Sequence, residues 1–548
     1  MNDRQITRNF AIAGLLLVTA GLGAIYAGDS ALAGSVPISI QINSGDTLTG
    51  TYHPGSHPAG VLLLEGFGSD QVTMRSAASE FARAGLHVFT FDFSGHGRSP
   101  GALTFDNAAT DRLARQVLAA HGAFRGTSGL ADDQIGWMGH SMGARAALQA
   151  ATLGKQQPAG LILLGTQVNL GSNVQSEVFT GVSDADLPWV QALGPSTPSV
   201  PMLFISGAWD DILTPEAARA LFSRLGGEAT EPLRALRILP RLLHNYEVFS
   251  PRVLSSTKAW LNETLGVSMP TSAPHATVRI GGWITALIGL FVAVIGGNRW
   301  ARAALPALPA PEPPIQIVNV RRFLWAKYAL WLAALPLIAG VFALFYVLPW
   351  DLPVFNLIYV GFIGGYGLLM RALYALGWVP GTEGRWRPGL ERSHAGSSRR
   401  MLTAIGVMTA VLLAATLYAR SGWFAAPPTG TRLLWLVLFT PLTALGFRIG
   451  QREQTILDQA EPNSAAARWL LTLSGLLPFF LWSGFQLAIG SLSGLVGGAQ
   501  GLIILAWVLA SGALVQRITG RPWLTAIFAS VLLYWLVLPQ GVLFVSPL

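Results

Sequence analysis

Gly139-His140-Ser141-Met142-Gly143 places a serine hydroxyl between two glycines in a G-x-S-x-G pattern. The setting gives the pattern its meaning. An apolar run, Gln134–Met138, leads in, and an Ala-rich stretch leads out from Ala144. A strand-to-helix turn this sharp strains the serine backbone and needs glycine at the flanking positions to avoid clashes. It also lifts the hydroxyl to the C-terminal edge of a sheet, above a helix N-terminus. A hydroxyl is a poor nucleophile at neutral pH. It needs a base to take its proton and an acid to orient that base. The chemistry pointed to is acyl transfer through a covalent serine intermediate. The chain has no cysteine, which excludes thiol catalysis, disulfides and Cys-based metal sites. No metal-ligand spacing and no phosphate-cradling glycine loop stands out, so neither a metal nor a cofactor is expected.

The elements that must position such a site follow from the pattern between Ser35 and Thr264. Short β-rich runs, Gly60–Leu64, Leu86–Phe91, Gln134–Met138, Leu161–Leu164, Met202–Ile205 and Ala235–Leu239, predict strands. Between and after them, Met74–Ala84, Ala108–His121, Ala144–Leu153, Glu216–Leu225 and Pro251–Leu265 predict helices. Alternation of buried apolar strands with helices implies an α/β domain with a doubly wound, mostly parallel sheet.

On these motifs the chain resembles the α/β-hydrolase superfamily, in its esterase, lipase and serine-peptidase branches, over roughly residues 36–268. Leu62-Leu63-Leu64-Glu65-Gly66-Phe67-Gly68 resembles the strand and oxyanion-hole loop, and Phe91-Asp92-Phe93-Ser94-Gly95-His96-Gly97-Arg98-Ser99 the D-x-x-G-H-G-x-S turn. The resemblance implies backbone N–H groups of Phe67 and Met142 as oxyanion donors. Family members usually carry His before the loop glycine. Glu65 stands there instead and brings a carboxylate near a developing negative charge. The family's chain order is nucleophile, acid, base. Met202–Glu216 resembles the acid loop, with Asp210 as the expected acid and Asp211 as the alternative. His244, after the last predicted strand and before a helix, takes the place of the catalytic base; His275 and His394 fall at a membrane entry and in a later loop. His96 and His140 are read as packing and turn residues. Gln167–Val200, with Phe179 and Trp189, falls where relatives carry a cap and suggests a small lid.

The composition is unusual for a soluble chain: 51% hydrophobic and only 12% charged. Up to residue 280 there are 18 Lys+Arg against 21 Asp+Glu; beyond it, 18 against 7. After His275 come apolar runs of spanning length at about 280–297, 327–348, 354–378, 401–418, 433–449, 469–490, 495–515 and 523–544. Another run, from Phe10 to about Ala27, follows Arg4 and Arg8, and then comes Ala31-Leu32-Ala33, so residues 1–34 read as a signal anchor or a cleaved signal peptide. Residues 35–275 would form the catalytic domain, and 276–548 a bundle of about eight spans. Ala303–Pro314 reads as a stiff Pro-rich linker. Arginines gather in alternate loops: Arg299, Arg302, Arg321 and Arg322; then Arg385, Arg387, Arg392, Arg399 and Arg400; then Arg452 and Arg468; then Arg517 and Arg521. The intervening loops carry only Arg420 and Arg432. This positive-inside alternation places the 35–275 domain on the extracytoplasmic side of a cell membrane. Within the spans, ionisable residues look nearly absent, with Arg371 the main exception. The basic excess of +8 therefore reads as a topology signal, and no nucleic-acid partner is expected.

The expected function is a multi-pass, extracytoplasmic serine hydrolase cleaving small-molecule or lipid carboxylic esters, with Ser141, Asp210 and His244 as its triad. Acyltransferase and peptidase activities would use the same residues. The reading from another class is a membrane transporter or sensor whose hydrolase-like domain only binds ligand.

Overall fold

A computed structural model describes residues 3–42, 47–104, 107–154, 156–166, 168, 184, 187–306, 314–387 and 398–546. Nine strands form one sheet: β1 (Val36–Gln41), β2 (Thr47–His53), β3 (Gly60–Leu64), β4 (His87–Phe91), β5 (Ile135–His140), β6 (Gly160–Leu164), β7 (Met202–Gly207), β8 (Ala229–Thr230) and β9 (Leu233–Leu239). Their order is β1-β2-β4-β3-β5-β6-β7-β9-β8. The six from β4 to β9 in that order pair in parallel, while β1, β2 and β8 add antiparallel edges. The six predicted strands are these six parallel strands. The edge hairpin β1–β2 was not read from the sequence, because only one of its faces is apolar and its alternation is weak.

The central strands β3, β5 and β6 are buried at every residue, as expected of a parallel sheet covered on both faces. Their side chains divide between two cores by the period of two. Val61, Leu63, Met138, Ile162 and Leu164 pack with α2 (Arg75–Arg83). Leu62, Leu64, Trp137, Leu161 and Leu163 pack with α3 (Asn107–Ser128), α4 (Met142–Leu153) and α5 (Pro215–Arg224). Helix α6 (Pro251–Leu265) joins α2 on its face.

The helical region comprises α1 (Asp3–Gly28), α7 (Pro274–Ala304), α8 (Val320–Tyr346), α9 (Val354–Leu376), α10 (Ser398–Arg420), α11 (Thr431–Ala460), α12 (Ala465–Ala488), α13 (Leu492–Thr519) and α14 (Pro522–Val537). All but α14 are long and apolar enough to cross a membrane. The span expected at 523–544 is thus corrected: its helix ends at Val537, and the chain then turns back to pair with the sheet domain. Glycines set the approach of α1 to α7. A Cβ on Gly289 would lie 2.6 Å from the Val18 nitrogen, and one on Gly14 2.2 Å from the Ala293 nitrogen.

The near-absence of ionisable side chains in the spans is also corrected. The helices run past the apolar runs and carry buried Arg279, Lys327, Arg432, Arg448, Arg452 and Glu453. Each charge described there has partners, as burial requires. Lys327 Nζ lies 2.5 Å from Glu453 Oε1, and Arg279 pairs with Asp29.

The sheet domain sits on one end of the bundle. Arg75 Nε donates to Asp29 Oδ2 at 2.6 Å, and the Ala276 N–H to Glu80 Oε1 at 2.8 Å. Thr73 Oγ1 donates to the Trp423 carbonyl at 2.8 Å, and the Ala425 N–H to Asp70 Oδ2 at 2.6 Å. Arg432 donates to the carbonyls of Gly95 at 2.6 Å and of Gly97 and Gly541 at 3.0 Å. Leu543 N–H donates to the Gly95 carbonyl at 2.9 Å, and its carbonyl accepts from Leu103 at 2.8 Å. These are the ends of α1, α7 and α11 that the arginine pattern assigns opposite to the basic loops.

Removing the Arg432 guanidinium leaves three buried carbonyls without their charged donor. Arg432→Met is therefore expected to destabilise the chain by about 3 kcal/mol or more. The check is a lowered thermal unfolding midpoint of the detergent-solubilised protein.

Candidate functional site

Strand β5 ends at His140, Ser141 makes the turn, and α4 begins at Met142. Ser141 holds φ 54° and ψ −115°, and only Arg241 joins it among non-glycine residues at positive φ in the described chain. A strained residue of this kind persists only where its surroundings determine it. The flanking glycines do so. A Cβ on Gly139 would lie 2.5 Å from the Ala144 nitrogen, and one on Gly143 2.3 Å from the Glu65 carbonyl oxygen. The Ser141 N–H donates to the Leu164 carbonyl of β6 at 2.9 Å, which ties the turn to the neighbouring strand.

The expected acid and base, Asp210 and His244, come from loops at the same sheet edge. Asp210 follows β7, and its Oδ2 lies 2.8 Å from His244 Nδ1, with both side chains buried. Asp210 Oδ1 accepts from the N–H groups of Ile212 at 3.0 Å and Leu213 at 2.8 Å, which fixes its rotamer. Asp211, the alternative acid, turns away: it accepts from the Ser493 N–H at the start of α13 and from the Ser493 hydroxyl. A carboxylate there meets the unsatisfied amides of a helix N-terminus. Occupation of His244 Nδ1 by Asp210 leaves Nε2 as the nitrogen available to a substrate-side proton. Among the described hydrogen bonds none joins the Ser141 hydroxyl to His244, a contact that often tightens only when substrate is bound.

Met142 is the first residue of α4, so its N–H has no partner within the helix. Phe67 lies between Gly66 and a Gly68 at φ 69°, in the loop after β3. The residue is 46% exposed, and its ring packs edge-on against His96, at 6.0 Å, and Phe355, at 5.7 Å. Glu65 is buried completely, and its Oε1 accepts from the Phe93 N–H at 2.9 Å. Burial, then Asp92 and Asp70 nearby, pushes its pKa well above the carboxylate range. Its carboxyl is therefore held toward the neutral acid, which reduces the charge anticipated beside an oxyanion.

Sequence reasoning missed Glu247. It is buried three residues beyond His244, accepts from the Gly207 N–H at 2.7 Å, and has its pKa raised by burial and then by Asp210. His140 Nε2 lies 3.7 Å from Glu247 Oε2 and 3.1 Å from the His244 carbonyl oxygen. Burial and then His244 lower the His140 pKa to about 3, so it stays neutral. His140, His244 and Glu247 bring ligand-type atoms within 4.8 Å of one another. Asp210, the His244 carbonyl and the Gly207 amide already engage those groups, so the cluster reads as a hydrogen-bond network around the His244 ring. No spacing signal marks Glu247 in the sequence. Phe179 and most of the expected lid lie outside the described residues, as do Arg392 and His394. Trp189 is described, buried, and packs under the Arg145 guanidinium at 5.5 Å.

The loops that carry these residues also meet the bundle. Asp211 binds Ser493, Gln500 Nε2 of α13 donates to the Tyr246 hydroxyl at 2.6 Å, and Phe67 contacts Phe355 and Phe544. Around Ser141, Asp210 and His244, the residues Phe67, Trp209 and Ile212 expose 46%, 52% and 40% of their surfaces. The mouth of the site is therefore apolar and bordered by the end of the helical bundle.

Residues 55–198 match a family model described as serine aminopeptidase, S33. An uncharacterized protein of Mycobacterium tuberculosis, found in strains CDC 1551 / Oshkosh and H37Rv, is 29% identical over 259 residues, covering 44% of this chain and 84% of its own. Among solved structures, an esterase of Pyrococcus furiosus is 18% identical, with a TM-score of 0.33, covering 42% of this chain and 91% of its own. A Butyrivibrio proteoclasticus protein solved with ferulic acid bound is 17% identical, with a TM-score of 0.35, covering 42% and 100%. The sheet domain is of the α/β-hydrolase type, followed by a helical region with several apolar helices.

The two neighbouring aspartates are separable. Asp210→Asn is expected to slow reaction with a serine-directed organophosphorus probe by on the order of 10⁴-fold, whereas Asp211→Asn stays within about tenfold of the parent chain. Rates measured side by side on purified protein provide the check. A pH response follows from His53, His96 and His140, whose pKa values burial lowers from 6.5 to about 4, about 4 and about 3. Below 6.5 the unfolded chain binds protons that the fold refuses. Stability is thus complete above that pH and falls as pH drops toward 4, by up to about 1.4 kcal/mol per unit for each histidine. Thermal midpoints between pH 4 and 8 test this, and His96→Gln should flatten the slope.

Proposed function

We propose that this chain is a serine hydrolase that cleaves carboxylic esters through an acyl-enzyme, and that its bundle seats it on the extracytoplasmic face of a cell membrane. The observation that carries the reading is the strained Ser141 turn at the same sheet edge as the Asp210–His244 pair. In this mechanism His244 takes the Ser141 proton through Nε2 while Asp210 holds its other nitrogen and stabilises the imidazolium. The alkoxide attacks the ester carbonyl. The oxyanion is held by the N–H groups of Met142 and Phe67, whose donors are worth on the order of a hundred- to a thousandfold each in such sites. His244 then protonates the leaving alcohol, and water, activated by the same base, releases the acid. The apolar mouth at the bundle's end supports a lipid or small apolar ester as substrate.

A second reading, peptide cleavage, is favoured by the description of the family model. The same triad would serve it, with an amine as leaving group. Turnover of p-nitrophenyl esters against aminoacyl p-nitroanilides separates the two, and ester preference is expected.

The nucleophile is tested with a fluorophosphonate probe on membranes. The parent chain should label and Ser141→Ala should not; an unlabelled, folded parent chain would sink the enzyme reading. Orientation has a clean reporter, because the chain contains no cysteine. With the outer envelope made permeable, Leu153→Cys should react with an impermeant maleimide in intact cells. Glu461→Cys, at the bundle's other end, should react only after lysis. The opposite pattern would reverse the topology.

A further inference from the structure

The bundle carries an open cavity of about 770 Å³ at the end remote from the Ser141 edge, among α7, α8, α9, α11, α12, α13 and α14. One part of its wall is apolar, built from Trp331, Ile363, Leu471, Leu505, Leu509 and Ala529. Another part is cationic. Arg302 comes from the last turn of α7, Arg448 and Arg452 from α11, and Arg517 from near the end of α13. The two acids that line the cavity are both engaged: Glu453 with Lys327 at 2.5 Å, and Asp458 with Arg468 at 2.7 Å. Arg448 and Arg452 stack on the Trp386 ring at 5.2 and 5.4 Å. Arg302 and Arg517 are different. Both are exposed where they line the cavity, and neither has an ion pair or hydrogen bond among the described residues.

Two neighbouring exposed guanidiniums without a protein counter-charge are compensated by water alone, and a polyvalent anion held between them would compensate them better. The planar fork of arginine matches phosphate oxygens two at a time. Basic pockets between helices at the end of a membrane bundle are suited to anionic lipid headgroups, and the volume suits a headgroup with the first carbons of its chains. The apolar wall has no purpose for a free inorganic anion. We propose that this cavity binds an anionic phospholipid, with Arg302 and Arg517 on the phosphate and the chain roots along Trp331, Leu471 and Leu505. The site is separate from the hydrolytic centre and does not depend on the activity assigned to it.

The test uses the full chain in a neutral detergent, with thermal shift and native mass spectrometry as readouts. The probes are dioleoylphosphatidylglycerol, dioleoylphosphatidylcholine and inorganic phosphate. Phosphatidylglycerol should stabilise and bind. The double variant Arg302→Gln/Arg517→Gln should weaken its binding at least tenfold, and Arg321→Gln, which removes a charge from the same end outside the cavity, should not. If the double variant misfolds, Arg302→Lys/Arg517→Lys keeps the charge without the fork and should still bind several-fold more weakly. The proposal is overturned if phosphatidylcholine binds as well as phosphatidylglycerol, if phosphate alone gives the full shift, or if the variants bind like the parent chain.

Discussion

The seat of the sheet domain on the helical bundle turns on one buried guanidinium. Arg432 reaches from the first turn of α11 to the carbonyls of Gly95 and Gly97 in the turn after β4, and to Gly541 in the returning tail. Three buried carboxyls, Glu65, Asp70 and Asp92, lie within its field, and none would tolerate burial as well without that positive charge. Removed from water, the charge is compensated only while all these groups stay in place. That requirement couples a loop of the hydrolase domain, a long helix and the chain's return segment into one unit. It also orients the Ser141 edge of the sheet toward the bundle, so that Phe67, Asp211 and Tyr246 each meet a residue of the helical half.

Much of the sheet domain was legible because its signals are local. Runs such as Gly60–Leu64 and Leu161–Leu164 are apolar throughout, and only a doubly covered strand needs that. The turn at Ser141 was legible because Gly139 and Gly143 have no alternative: a methyl group at either would strike backbone. The choice between Asp210 and Asp211 was not local. Adjacent carboxylates on one loop differ only in what they face, and Asp211 faces a helix that begins some 280 residues later, a separation that loop residues cannot signal. Glu247 was illegible for the same reason, since its significance lies in the Gly207 amide and the neighbouring histidines.

The helical half misled in a different way. Hydropathy windows report the apolar middle of a helix and stop where charges begin. Helix α11 continues past the run 433–449 through Arg452 and Glu453, and α8 begins before Lys327, so Glu453 fell into what looked like loop while its partner Lys327 stood at the edge of a span. Arg432, read as one bare-loop arginine, by contrast makes three buried hydrogen bonds across the domain junction. In both cases the charge was visible and its partner, distant in sequence, was not.

The tail that follows α14 has a consequence for how the molecule is assembled. Leu543 bridges Gly95 and Leu103, residues roughly 450 positions earlier, a contact of very high sequence separation. Synthesis delivers the sheet domain long before it delivers this segment, so that domain must fold and wait with the Gly95–Leu103 edge unpaired. The carbonyls that Arg432 and Leu543 later engage stay hydrated until α11 and the tail arrive. Completion of this edge of the sheet domain is in this sense a late step of assembly. A chain whose helices insert in the wrong order cannot present Phe544 and Leu543 to the loop that holds Phe67.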